Sequence, residues 1–263
     1  MNKLDQIIAH KRVELLTWKE QTPIHVLRER AVARSAAPDF KAALLSRPVG
    51  LIAEVKRRSP SVGLIRDPFV APDIACAYQE GGAQALSVLM DETFFGGGEG
   101  DFRAVRAAVS LPLLYKEFVV DPWQVWHAAS LGASAVLLIV AALSRTELEQ
   151  LSAEVALAGL TVLTEVHDEA EADVAVAVGA EVIGINNRNL KTFVTSLDTT
   201  DAVIRRIPDD RIVVSESGIR NADDVRHVKS LGVDAVLVGE HLLRNEDLCA
   251  AVGALMEPAW TSL

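Results

Sequence analysis

At 263 residues, half of them hydrophobic, the chain is long for one ordinary domain, usual for a single α/β barrel, and large enough to bury a substantial core. Its 26 Lys and Arg against 36 Asp and Glu give a net charge of −10, which argues against a nucleic-acid polyanion as partner and means that a small anionic ligand needs a local positive site. The two cysteines, Cys76 and Cys249, form no CxxC pair or disulfide framework, and the longest apolar run, "ASAVLLIVAAL" at 133–143, falls short of the ~20 residues a membrane-spanning helix takes.

In chain order, the opening "MNKLDQIIAHKRVELL" sets Leu4, Ile7, Ile8, Leu15 and Leu16 on one helical face between charges. That pattern predicts an amphipathic helix rather than a secretory leader, and so a cytoplasmic protein. Two further helical patterns, "IHVLRERAVA" and "DFKAALLS", fill out an N-terminal helical extension over residues 1–48, expected to close the bottom of the fold or flank its mouth. A first strand follows in "GLIAEV". Four later segments, "EGGAQALSVLM", "SLGASAVLLIV", "AVGAEVIGIN" and "SLGVDAVLVGE", share one grammar: a glycine (Gly82, Gly132, Gly179, Gly232) ends a helical pattern and a short apolar run begins. Similar runs near 50–55, 111–115, 160–163 and 211–214 bring the strand candidates to eight, alternating with helical segments such as "RTELEQLSAEVALAG". The pattern predicts an α/β protein, a (β/α)8 TIM barrel over 49–256 behind the extension, all within one domain spanning 1–263. An open doubly wound sheet would carry a G-x-G-x-x-G turn after its first strand; "GGGEG" at 96–100 has the wrong spacing and follows the second strand, and no Walker sequence is present.

In such a barrel the chemistry comes from the C-terminal ends of the strands, so polar residues that terminate apolar runs are the informative ones. These are Glu54 and Lys56 after the first strand, Lys116 in "LLYKE", Glu165 in "VLTEV", Asn186 in "IGINNR" and Glu216 in "VVSES". Glu54 and Lys56 share a strand face while Val55 points the other way. Any one of them can simply close a strand end with a salt bridge. Two lysines, three carboxylates and an asparagine at one mouth are costly to desolvate, and stability alone gives little reason to build them, which favours a proton-transfer site. After the seventh and eighth strand candidates, Gly218 and Gly239 precede helical segments, an arrangement suited to phosphate, with Ser59 and Ser61 of the "SPS" turn as further donors; each glycine alone also fits a tight turn. Phe94 and Phe95 fit either an aromatic wall or helix packing. Trp123 and Trp126, spaced i, i+3, read as packing residues. The six histidines form no HxH or HExxH pair, so no metal site is expected, and His167 reads as the start of a helix.

Taken in order, "IAEVKRRSPS", "SVLMDETFFGG", "LLYKEFVVDPWQV", "VLTEVH", "IGINNRNL", "VVSESGI" and "VLVGE" resemble the motifs of the indole-3-glycerol-phosphate synthase family. The resemblance runs from about Leu51 to Leu243, and the N-terminal helices are similar to that family's extra segment. It implies a carboxy-lyase of tryptophan biosynthesis that closes the indole ring of 1-(2-carboxyphenylamino)-1-deoxyribulose 5-phosphate with loss of carbon dioxide and water, using no metal or organic cofactor. By motif, Lys116 resembles the general acid and Glu165 the group handling protons in the dehydration. Lys56 would stand near the substrate carboxylate; Glu54, Asn186 and Glu216 would position and polarise; Arg188 would help order the site. Ser59, Ser217, Gly218, Gly239 and Glu240 match phosphate-binding positions, and Phe95 a substrate-binding one. The implied partner is a phosphorylated small molecule, with neither nucleic acid nor membrane, for a monomer or weak homo-oligomer. Three departures stand out: Glu117 replaces the usual aspartate and is expected to shift the Lys116 ammonium, Val62 stands where a lysine is frequent, and Glu240 occupies a phosphate-loop position where serine is also common. The alternatives are another phosphate-binding barrel such as phosphoribosylanthranilate isomerase, whose first strand ends in cysteine, and a non-catalytic barrel that binds a phosphorylated metabolite.

Overall fold

The computed structural model describes residues 3–60, 62–189 and 194–261. Eight parallel strands, β1 (Gly50–Val55), β2 (Ala85–Leu89), β3 (Leu113–Lys116), β4 (Ala135–Ile139), β5 (Thr161–Val166), β6 (Val182–Asn186), β7 (Ile212–Glu216) and β8 (Ala235–Val238), pair in chain order. β8 returns to β1, with Gly50 opposite Ala235 and Ala53 opposite Val238, so the sheet closes. The (β/α)8 barrel expected from the repeat is therefore the fold. The four repeat glycines, Gly82, Gly132, Gly179 and Gly232, all have positive φ, the left-handed turn that stops a helix and feeds the next strand.

Three helices precede the barrel: α1 (Lys3–Gln21), α2 (Ile24–Val32) and α3 (Phe40–Leu44). After β1 the helices are α4 (Ala71–Glu80), α5 (Glu92–Phe95), α6 (Glu99–Ala108), α7 (Pro122–Leu131), α8 (Arg145–Leu157), α9 (Glu169–Ala177), α10 (Asp198–Val203), α11 (Ala222–Ser230), α12 (Glu240–Leu243) and α13 (Leu248–Thr261). Among the described residues none of them is long and apolar enough to cross a membrane.

Period-two alternation divides the strand residues into two cores. Leu51, Ala53, Val55, Leu113, Tyr115, Ile183, Ile185, Val236 and Val238 pack outward against the helices, while Ile52, Leu114, Leu137, Ile139, Leu163, Val214 and Leu237 fill the interior. The extension does both of the things expected of it. Phe40 and Leu44 of α3 join the interior cluster from the N-terminal end of the strands, which Gly50 permits, since a Cβ there would lie 2.5 Å from the Leu44 carbonyl oxygen. α1 instead reaches the opposite end, and α2 packs on α7 through Leu27, Trp123 and Trp126.

Candidate active site

The alternation that sends Ile52, Leu114, Leu163 and Val214 inward sends the next residues of the same parity inward too. Glu54, Lys116, Glu165, Asn186 and Glu216 thus form a polar layer at the C-terminal end of the barrel, above an apolar one. Register places Ile139 beside Glu165 and Asn186 beside Glu216. All five line one cavity of about 440 Å³, together with Lys56, Phe95, Arg188, Ser217, Gly218, Gly239 and Glu240.

At the floor, the Lys116 ammonium donates to Glu165 Oε2 at 3.0 Å and to Glu216 Oε2 at 2.7 Å. Burial alone would lower the Lys116 pKa, but the charges of Glu165, Glu216 and Glu54 outweigh it and hold the group well above the ordinary lysine range. Glu165 also suffers burial, yet Lys116 and His167 keep it well below the usual carboxylate range. Glu216 has Lys116 alone to offset its burial and also feels Glu165, so it is pushed up to about 7. Lys56 pairs with Glu54, two residues before it on the same face. Two of these carboxylates occupy space that glycine vacates: a Cβ at Gly184 would lie 2.1 Å from Glu216 Oε1, and one at Gly239 would lie 2.6 Å from Glu54 Oε1.

The turns after β7 and β8 also line the cavity. Ser217 (φ 64) and Gly218 (φ 87) both adopt the left-handed conformation, and Gly239 precedes the short α12. Asn187 fixes the first turn, its amide donating to the Glu216 and Ser217 carbonyls and to Ser215 Oγ, while its oxygen accepts from Thr200. Leu137, Ile139 and Leu237 give the cavity an apolar wall, with Phe95 and Phe118, whose ring centroids are 6.0 Å apart. The two neighbouring phenylalanines part company: Phe94 packs edge-on against His10 of α1.

The indole-3-glycerol phosphate synthase family model matches residues 4–255. A protein of that name from Aromatoleum aromaticum is 44% identical over 248 residues, covering 93% of this chain and 95% of the relative; another from a Polaromonas species is 43% identical over 256 residues, covering 96% and 97%. The chain belongs to the indole-3-glycerol phosphate synthase family. Among solved structures, thiamine phosphate pyrophosphorylase from Pyrococcus furiosus superposes with a TM-score of 0.61 at 19% identity, over 80% of this chain and 95% of that one, a likeness of fold.

The surroundings of Ser59 and Glu117 differ from what the resemblance suggests. Ser59 is buried in a two-residue antiparallel ladder, Arg58–Ser59 against Gly63–Leu64, and does not line the cavity, where Pro60 takes its place; Ser61 lies outside the described residues. Glu117 does not act on Lys116. One residue further along the strand it turns to the opposite side and pairs with Lys11 of α1 at 3.1 Å, and Lys11, itself buried, also meets Asp91 at 3.1 Å and Glu14 at 2.8 Å. The third departure, Glu240, keeps its carboxylate occupied by Arg244 at 2.9 Å, with Arg188 3.9 Å away, so its charge is partly neutralised at the phosphate end.

Several lining residues went unread in the sequence. Phe118 and the apolar wall carry no polar signal, and Leu4 and Ile7 reach the mouth from α1. Arg220 and Arg244 add positive charge there, and His167 meets Glu165 from behind at 3.2 Å.

Proposed function

We propose that the chain catalyses the reaction of its family, closing the indole ring of 1-(2-carboxyphenylamino)-1-deoxyribulose 5-phosphate to indole-3-glycerol phosphate with release of carbon dioxide and water. The observation that carries the residue roles is the position of Lys116, a buried ammonium between two carboxylates, with an apolar wall beside it and two anion-suited turns beyond.

The substrate phosphate is held by the backbone around Ser217, Gly218, Gly239 and Glu240, helped by Arg188 and by the positive N-terminal end of α12. Its aromatic ring lies against Phe95, Phe118 and Leu137, and its carboxylate faces Lys56. Holding both ends bends the chain so that the ring carbon bearing the carboxylate meets the ketone. Attack forms the carbon–carbon bond and places negative charge on the ketone oxygen, which the Lys116 ammonium stabilises and protonates. The carboxylate then leaves as carbon dioxide, its bonding electrons restoring the aromatic ring. Dehydration completes the indole: the hydroxyl departs as water with a proton, and Glu165 takes the proton from the neighbouring ring carbon. Glu54, Asn186 and Glu216 orient the two lysines and the hydroxyl.

Mixing the purified protein with this substrate is expected to produce indole fluorescence, and its absence rejects the activity. Lys116→Met is expected to lower kcat by roughly 10³-fold or more while changing substrate affinity only a few-fold. Turnover like that of the wild type in this variant rejects Lys116 as the acid.

A further inference from the structure

His167 follows β5 by one residue, on the loop that enters α9. Its Nδ1 lies 3.0 Å from Glu171 Oε2, and the same oxygen accepts the His167 backbone N–H at 2.8 Å. The other ring nitrogen, Nε2, stands 3.2 Å from Glu165 Oε1, an ion pair rather than an aligned hydrogen bond. Glu165 turns its second oxygen to Lys116, and Lys116 continues to Glu216. Glu171, His167, Glu165, Lys116 and Glu216 therefore make one file of alternating charge, running from α9 to the barrel interior.

That file is asymmetric about Lys116. Glu165 is flanked by two cations, whereas Glu216 has one, and Glu216 Oε1 is buried without a hydrogen-bond partner among the described residues. Two carboxylates sharing one ammonium in a buried site do not both ionise freely, so a proton shared between them resides on the one with less positive charge beside it. The asymmetry comes from His167 beside Glu165 and from Glu54, whose charge adds to that of Glu165 on Glu216.

We propose that His167 is a positioning residue for the reaction: gripped by Glu171, its ring presents positive charge to the outer oxygen of Glu165 and so determines that Glu165, not Glu216, is the ionised base beside Lys116. The proposal rests on the reading of Glu165 as the group that takes a proton in the dehydration. The charged groups facing the ring are Glu165 from β5 and Glu171 from α9; those facing Glu165 are Lys116 from β3, Glu216 from β7 and His167 itself. Burial alone would lower the imidazole pKa, and the two carboxylates overcome it and raise it to about 10, so the ring is a cation at neutral pH. Without that cation Glu165 becomes easier to protonate, and the proton is divided between two acids of which only one faces the reacting carbon.

The test is the pH profile of kcat in His167→Gln, which keeps a neutral polar side chain at the position. The acidic limb is expected to move up by about one pH unit, so that kcat falls by up to about tenfold at pH values on that limb and little on the plateau, with KM within about threefold of the wild type. A uniform fall in kcat with an unmoved limb, or a kcat unchanged at every pH, in a variant whose thermal melt is intact overturns the proposal. Should His167→Gln fail to fold, Glu171→Gln gives the same decision. Loss of the outer carboxylate lowers the imidazole pKa, so activity should be lost at lower pH on the basic side, and an unmoved basic limb counts against the proposal. Glu165→Gln separates the two layers of argument. Wild-type turnover in it removes the Glu165 reading; inactivity there with an unmoved limb in His167→Gln removes only the role of His167.

Discussion

A methyl group at residue 184 would stand 2.1 Å from Glu216 Oε1, so Gly184→Ala is a change of one carbon that forces a buried carboxylate to move. Glu216 donates no flexibility to absorb it, being held at 2.7 Å by Lys116 and packed to near-complete burial. We expect kcat to fall about 10²-fold, since a displaced partner misplaces the ammonium, while affinity for inorganic phosphate, which the proposed site holds through other residues, stays unchanged by calorimetry. Retention of full kcat would show that the Glu216 position tolerates the shift. Glu117 lends itself to a stability measurement instead. Burial pushes its pKa up to about 7, with Lys11 opposing. A carboxyl whose pKa is higher folded than unfolded binds its proton more tightly in the native state, so stability falls as pH rises between the unfolded value near 4.5 and about 7. Glu117→Gln lacks that slope. The melting temperature of the wild type relative to this variant is expected to drop between pH 5 and pH 8; parallel curves would place the ionised carboxylate in a site that costs nothing to charge.

Helix α1 couples the mouth to two strand ends through a single buried cation. Asp91, which Lys11 meets, also caps α5 by accepting from the Phe94 and Phe95 amides, and Glu117 directly follows Lys116. Lys11→Met leaves three carboxylates to share one buried space without a counterion, a loss on the order of 3–5 kcal/mol. A fall in melting temperature of several degrees or more is expected in a thermal melt, with a rise in KM because Leu4 and Ile7 on the same helix line the cavity. The long-range partners in this docking were not legible, because Asp91 and Glu117 lie 80 and 106 residues from Lys11 in the sequence and an amphipathic pattern names the buried face but not what it meets. The strands were legible for the opposite reason: alternation and a glycine at each helix end are local, so the barrel and the inward parity of Glu54, Lys116, Glu165, Asn186 and Glu216 follow from neighbours in the chain. The same parity, carried one step further, turns Glu117 away from Lys116 and His167 toward Glu165. His167 shares the strand parity of Glu165, which is local in the sequence, but no metal-ligand spacing marks it as functional. Ser59 is different again, since a two-residue ladder in a loop has no periodicity to read.

The molecule as a whole is anionic, with a net charge of −10, yet its proposed ligand is a phosphate, so binding depends on local positive groups, Arg188, Arg220, Arg244 and backbone amides, which must also offset Glu240 beside them. Binding to the native state alone stabilises it by mass action, about 2.7 kcal/mol at a ligand concentration 100-fold above Kd, which for a chain of this size is a rise of roughly 5–10 °C in melting temperature. Because the turns proposed to hold the phosphate are not the residues proposed to carry the chemistry, this shift separates binding from chemistry. With indole-3-glycerol phosphate as ligand, Lys116→Met should show the full rise while failing to turn over substrate. Gly218→Val should show little or none, measured against its own ligand-free melt. Val at φ 87 is strained and its side chain would press on Thr195, whose Cγ2 lies 3.0 Å from the Cβ position. If Gly218→Val keeps the whole shift, the phosphate is held elsewhere; if Lys116→Met loses it, the lysine contributes to binding the ground state and not only to the reaction.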